Sequence, residues 1–391
     1  MNRPLLPILG YGFRPFFLGA GLAALLIPWW AGAVAWGWPL GTAWPPTLWH
    51  GHEMLFGFIA AAIAGFLLTA VPSWTGERGF AGWPLLLLAT LWVLGRVAIA
   101  TSSLWPMPVV AALDLLFLPA LATFVLPPLI RARNRNVMLL VVLTTLWATD
   151  IAFYRGVFDA DAALARRALL VGIDIVLLLI TVIGGRIIPA FTSAVLKQKG
   201  VSNAAPAWRA LTPLAVGAML AVTVIDLWRP DSAAAGVAAA ATAVIQLVRL
   251  ARWQGIRTLR APILWVLHLG YLWLPLGFAL KAIALLTGLA FAAFYLHALT
   301  IGAAATMILA VMTRASLGHT GRFLVVSRPT AWAYGFLTAA AAVRVFGPAV
   351  LPLAYPSVVV LAAALWTIAF GLFLRVYAPI LTSPRADGKP G

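Results

Sequence analysis

Apolar stretches of span length, separated by short breaks rich in Pro, Gly, Trp or Arg, follow one another along nearly the whole chain. A helix of about 20 apolar residues crosses bilayer hydrocarbon with its backbone groups bonded internally. On that rule the pattern predicts about twelve spans. They run near Phe16–Trp36, Gly51–Val71, Trp83–Ile99, Val109–Leu129, Val137–Phe153, Ala168–Ile188, Leu211–Trp228, Ala233–Leu250, Pro262–Ala282, Leu289–Met312, Ala331–Phe346 and Ser357–Val376. The expected fold class is therefore an all-α polytopic membrane protein. One transmembrane helical domain covers 1–380, and a short tail, 381–391, is read as disordered. Ala31-Gly32-Ala33 mimics a signal-peptidase site, but the spans that follow favour an uncleaved first helix.

Composition agrees with this. Of 391 residues, 63% are hydrophobic and 9% charged, where a soluble domain carries about 25% charged residues. Cysteine is absent, which excludes disulfides, thiolate metal sites, iron–sulfur clusters and covalently attached haem. A net charge of +17 would suggest nucleic acid in a soluble protein. Here the charge follows the loops instead. One alternate set carries Arg131, Arg133 and Arg135; Lys197, Lys199 and Arg209; Arg249, Arg252, Arg257 and Arg260; and Arg314, Arg322 and Arg328. The positive-inside rule then places both termini in the cytoplasm and makes the lipid bilayer, not nucleic acid, the partner. The expected location is a bacterial inner membrane.

That orientation sorts the polar residues by depth. His50, His52 and Glu53 open the second span at its outer end, with His50 expected to close the preceding loop. His297 lies roughly 12 Å down the tenth span from outside, and His268 roughly 10 Å into the ninth from the cytoplasm. His319 follows the tenth span. Asp150, Asp174, Asp226, Arg96, Lys281 and Arg344 fall in the outer half, so the polar groups gather in one leaflet. A weak repeat marks the same helices: His52, Gly57 and Thr75-Gly76 recur at matching offsets as His297, Gly302 and Thr320-Gly321.

A ring nitrogen in hydrocarbon needs a partner, and imidazole is a common ligand for iron and copper. The sharper reading is a b-type haem held between His52 and His297. Ala60, Ala61, Ala62 and Gly65 after one histidine, and Gly302 to Ala305 after the other, would leave room for a macrocycle. Arg96 and Arg344 would meet its propionates. The plainer reading is that small residues let helices approach, that each histidine bonds a carbonyl, and that the arginines snorkel. Copper would fall to His50, His268 and Met54. Asp174 pairs with a cation, relays protons or binds a second metal. No phosphate-binding loop, zinc-protease helix or nucleophile elbow is present.

Five segments carry a resemblance. They are Gly12-Phe13-Arg14-Pro15-Phe16-Phe17, Trp49-His50-Gly51-His52-Glu53-Met54-Leu55-Phe56-Gly57, Gly184-Gly185-Arg186-Ile187-Ile188-Pro189-Ala190-Phe191-Thr192, His297-Ala298-Leu299-Thr300 and Met312-Thr313-Arg314-Ala315-Ser316-Leu317-Gly318-His319-Thr320-Gly321-Arg322. Through them the chain resembles the NnrS family of membrane proteins. That resemblance implies haem and copper, and a place in nitric oxide metabolism, nitrosative-stress resistance or denitrification. It implies nitric oxide or another diatomic as ligand and, if the protein is a nitric-oxide-reducing oxidoreductase, a quinol or cytochrome as electron donor. A looser likeness is to haem–copper oxidases and nitric oxide reductases, although the sixth and seventh spans here lack histidine. The alternative is a secondary transporter with Asp174 and His268 coupling protons.

Overall fold

The computed structural model describes residues 6–198, 200–201 and 210–389; Lys199 and Arg209 of the basic loops, and the last two residues of the tail, lie outside these. The described residues form helices and no strand. Twelve helices are long and apolar enough to cross a membrane. They are α1 (Phe13–Trp36), α2 (Pro46–Thr75), α3 (Trp83–Ala100), α4 (Met107–Arg131), α5 (Arg135–Phe158), α6 (Ala162–Gln198), α7 (Leu211–Trp228), α8 (Ala233–Ala251), α9 (Pro262–Thr287), α10 (Ala290–His319), α11 (Arg328–Val350) and α12 (Pro352–Thr382). Each overlaps one expected span.

The ends differ in two informative places. The α2 helix begins at Pro46, so His50 is helical rather than loop-borne. Proline suits a first turn, where its missing N–H costs nothing. The α10 helix continues past Met312 to His319, which is its last residue.

The residues group into two compact units. One holds the chain up to Gly172 together with Met312–Leu324 and the stretch from Phe370; the other holds Ile173–Val311 and Val325–Ala369. Each unit is built on close helix contacts at glycine. In the first, Gly65 of α2 meets the ring of Phe17 and the Cβ of Phe16 on α1, and Gly19 of α1 meets Trp92 of α3. Trp92 Nε1 in turn donates to the Gly57 carbonyl at 3.1 Å. In the second, Gly277 of α9 lies against Leu299, and Gly302 of α10 against the indole of Trp273 on α9. Such approach replaces the hydrophobic driving force that lipid does not supply. Of the small residues after each histidine, Gly65 and Gly302 therefore receive aromatic side chains of neighbouring helices.

Two stretches depart from α-helical geometry. Glu53–Ile59 in α2 and Ala298–Ala305 in α10 are π-helical. Each starts at the residue after His52 or His297. Each holds the glycine of the sequence repeat, and the Thr-Gly landmark that follows has glycine left-handed, at φ 71° for Gly76 and 72° for Gly321. The repeated letters thus correspond to repeated local structure. An inserted π turn re-aims the side chains beside it and is frequent at functional sites.

Candidate metal centre and its neighbours

In the first unit, His52 ends the opening α-helical turns of α2 and is fully buried. The Trp44, Phe56 and Phe153 rings enclose its imidazole, with centroids 5.2, 4.8 and 4.6 Å away. Both ring nitrogens face carboxylates. Nδ1 lies 3.2 Å from Glu53 Oε1, and Nε2 lies 3.1 Å from Asp150 Oδ1 and 3.2 Å from Asp114 Oδ2. Arg96 of α3 closes the cluster from the other side. Its Nη1 donates to Glu53 Oε1 at 2.6 Å and its Nη2 to Asp114 Oδ1. Tyr154 of α5 donates its hydroxyl to Asp114 Oδ2 at 3.0 Å. Gly95 makes room for Asp114, since a Cβ there would meet its carboxylate.

Charge decides what such a cluster can do. Three buried carboxylates face one guanidinium. A neutral imidazole leaves two negative charges uncompensated, and a protonated one leaves a single charge. Uncompensated charge in a low-dielectric interior is costly, so the cluster calls for protons or a metal cation. Its geometry suits a metal. Two ligands about 2.1 Å from one ion and separated by about 90–109° lie about 3.0–3.4 Å apart. The spacings from Nε2 to the two aspartates fall in that range. His52, Asp114 and Asp150 offer donor atoms all within 4.8 Å of one another, the one group of three or more His, Cys, Asp or Glu so placed among the described residues. Glu53 on Nδ1 is the outer carboxylate that orients metal-bound imidazoles generally.

The same surroundings do not fit a haem at His52. An axial ligand presents a bare nitrogen to iron along the ring plane, and carboxylates stand there on both sides. Gly57 faces Arg96 and Glu53, and Gly65 faces Phe17. Arg96 is already engaged by two carboxylates.

In the second unit, His297 is half-buried at the head of the second π turn, with the Phe294 ring 6.5 Å away. Arg344 of α11 stands over the Phe294 ring at 5.0 Å and the Tyr355 ring at 5.4 Å, and its Nη2 donates to Tyr355 Oη at 2.9 Å. Its Nε and Nη1 are buried without hydrogen-bond partners, and no carboxylate pairs with it among the described residues. A buried guanidinium with two unpartnered nitrogens, over the Phe294 ring that His297 also meets, does fit an anionic cofactor edge such as a haem propionate. Arg96 and Arg344, alike in sequence, thus differ: one is saturated and the other is not.

The remaining histidines lie apart from these groups. His50 stacks on Trp30 with centroids 4.1 Å apart. His268 Nε2 and Thr192 Oγ1 are 2.9 Å apart. His319 stacks on Tyr11 at 5.9 Å and accepts Arg385 on its carbonyl at 2.9 Å. Asp174 bonds to Asp226, which pairs with Lys281. Sequence reasoning missed Asp114, although a carboxylate inside the fourth span is itself a signal. It also named Glu53 and Asp150 without joining them to His52.

A family model, that of the NnrS protein, matches residues 7–385. The chain belongs to the NnrS family. Membership makes it a multi-pass membrane protein linked to nitric oxide metabolism. No curated protein matches the chain. The motif resemblances seen in the sequence therefore fall on one NnrS framework, and His52, Glu53, His297 and His319 are among its residues.

Proposed function

We propose that this NnrS protein binds or reduces nitric oxide at redox-active metal in the membrane, and so contributes to nitrosative-stress resistance or denitrification. The observation that carries the reading is the imidazole of His52 held among Asp114, Asp150 and Glu53 with surplus negative charge. A metal would be held by His52 Nε2, Asp114 Oδ2 and Asp150 Oδ1. Bound there, a redox-active ion would supply a place for a diatomic ligand and for an electron. The chain's own residues do the rest. Glu53 accepts the Nδ1 proton and keeps Nε2 bare for the ion. Arg96 bridges Glu53 and Asp114 and fixes both carboxylates. The Tyr154 hydroxyl holds a proton against Asp114 Oδ2. Trp44, Phe56 and Phe153 keep bulk water from the ring.

Haem b, in this reading, belongs to His297, with Arg344 on a propionate. Copper(I) would need softer donors than the His52 cluster offers. Both termini are assigned to the cytoplasm and the protein to a bacterial inner membrane on the strength of the basic loops. A quinol or cytochrome would be the electron donor. The secondary-transporter alternative is not supported.

Metal and porphyrin content with an optical spectrum tests the reading, first as purified and then with nitric oxide added. Expected are bound metal, a Soret band lost in His297→Ala, and a spectral change with nitric oxide. Protein grown with ample haem and metals that is colourless, metal-free and blind to nitric oxide would end it.

A further inference from the structure

We infer that the ion seated by His52, Asp114 and Asp150 is a hard divalent one of the iron(II) class, and that this site is neither a copper(I) nor a haem site. The inference rests on the reading that the cluster holds metal, and it names which. Three observations carry it.

The first is donor chemistry. The converging atoms are one imidazole nitrogen and two carboxylate oxygens. Carboxylate with imidazole suits iron(II) and manganese(II), whereas copper(I) selects thiolate, thioether and imidazole. The chain has no cysteine, and the groups that meet the His52 imidazole are four aromatic rings and three carboxylates.

The second is charge. Arg96 leaves two carboxylate charges over when the imidazole is neutral, as a metal requires it to be. A dication cancels both and makes the buried assembly neutral. A monovalent copper ion leaves one negative charge buried, since among the described residues only Arg96 forms an ion pair with these carboxylates.

The third is support. Asp114 is held from two sides, by Arg96 on Oδ1 and by Tyr154 on Oδ2. His52 is fixed by Glu53 on Nδ1. Outer partners of this kind set ligand orientation, and their loss commonly weakens metal binding 10–100-fold, roughly. A site prepared in this way, with its imidazole in a fixed tautomer, is built for direct coordination and not for a stray proton.

The experiment uses the full chain in detergent, stripped with a chelator. It is titrated anaerobically with Fe²⁺, with Mn²⁺ and with buffered Cu⁺, each alone, and monodispersity is checked at every step. One added Fe²⁺ per chain is expected, with a Mössbauer signature of high-spin iron in oxygen and nitrogen coordination and no gain in porphyrin absorbance. Asp150→Asn, which keeps shape and removes one charge, should weaken Fe²⁺ binding. Glu53→Gln should weaken it about 10–100-fold, and His52→Ala should abolish it. Because the alanine variant risks misfolding, the two isosteric variants decide. Cu⁺ bound more tightly than Fe²⁺, with its affinity lost in Asp150→Asn, would overturn the hard-ion assignment and leave the metal centre standing. No metal bound to monodisperse wild-type protein would overturn both. Fe²⁺ bound equally by wild type, Asp150→Asn and Glu53→Gln would place the ion elsewhere and refute the site.

Discussion

Replacing Lys281 by Met tests the second buried charge cluster. Lys281 is 3% exposed and Asp226 is 3% exposed, and the ammonium pairs directly with the carboxylate. Asp174, 4% exposed, bonds to Asp226 from α6, and one oxygen of each aspartate has no hydrogen-bond partner. Lys281 is thus the single cation against two carboxyls. Removing one member of a buried pair leaves an uncompensated charge and costs about 3–5 kcal/mol. Replacing the whole pair with neutral groups is instead often neutral or stabilising by about 1–4 kcal/mol. Lys281→Met should therefore be severely destabilised, and Asp226→Asn with Lys281→Met should return close to wild type. Asp174→Asn alone removes the surplus carboxyl and should stabilise. The assay is unfolding of the purified protein in detergent, followed by tryptophan fluorescence, with wild type, both single variants and the double variant run together. A Lys281→Met variant as stable as wild type, or a double variant no better than that single one, would refute the charge argument.

Three further outcomes follow from the described contacts. Arg344→Gln should lower porphyrin retention and shift the Soret band while leaving iron at the His52 cluster unchanged, as read by metal analysis. Gly302→Leu should drive a side chain into the Trp273 indole and cost about 1–3 kcal/mol or more, seen as reduced yield of folded protein. At the C-terminal end, Arg385 grips Asp387 through both oxygens while its Nη1 reaches the His319 carbonyl. Those bonds hold the Asp387 carboxyl below its ordinary value. A lowered carboxyl contributes its stabilisation above the unfolded value, near pH ~4, and loses it as pH falls through the folded one. Protection of the tail amides, taken relative to their intrinsic exchange rates, should then be indifferent to pH near neutrality, fall only in acid, and be lower at every pH in Arg385→Ala.

Much of the fold was legible because hydrocarbon demands one solution: twelve apolar runs became twelve helices. Helix ends were less legible. Pro46 starts α2 earlier than hydropathy suggested, which moved His50 onto a helix. Of the site, the chemistry-bearing histidine was visible from its place in an apolar run. Its partners were not, because Asp114 and Asp150 lie 62 and 98 residues beyond His52 and meet it only through tertiary structure. The tail is a similar case. Its polar composition suggested disorder, yet Ala386 N bonds to the Thr320 carbonyl at 3.0 Å. The π turns left no mark in composition. Only the repeat of His, Gly and Thr-Gly hinted that the two stretches were alike.

The spread of ionised groups over α2, α3, α4 and α5 bears on how the polypeptide enters the bilayer. A lone Arg or Asp at mid-span resists insertion by about 2.5–3.5 kcal/mol. Arg96 and Asp114 sit on consecutive helices and join directly. A nascent hairpin that leaves the translocon as a pair carries its guanidinium already quenched. Synthesis then delivers Asp150 last, on α5, to complete the carboxylate set around His52.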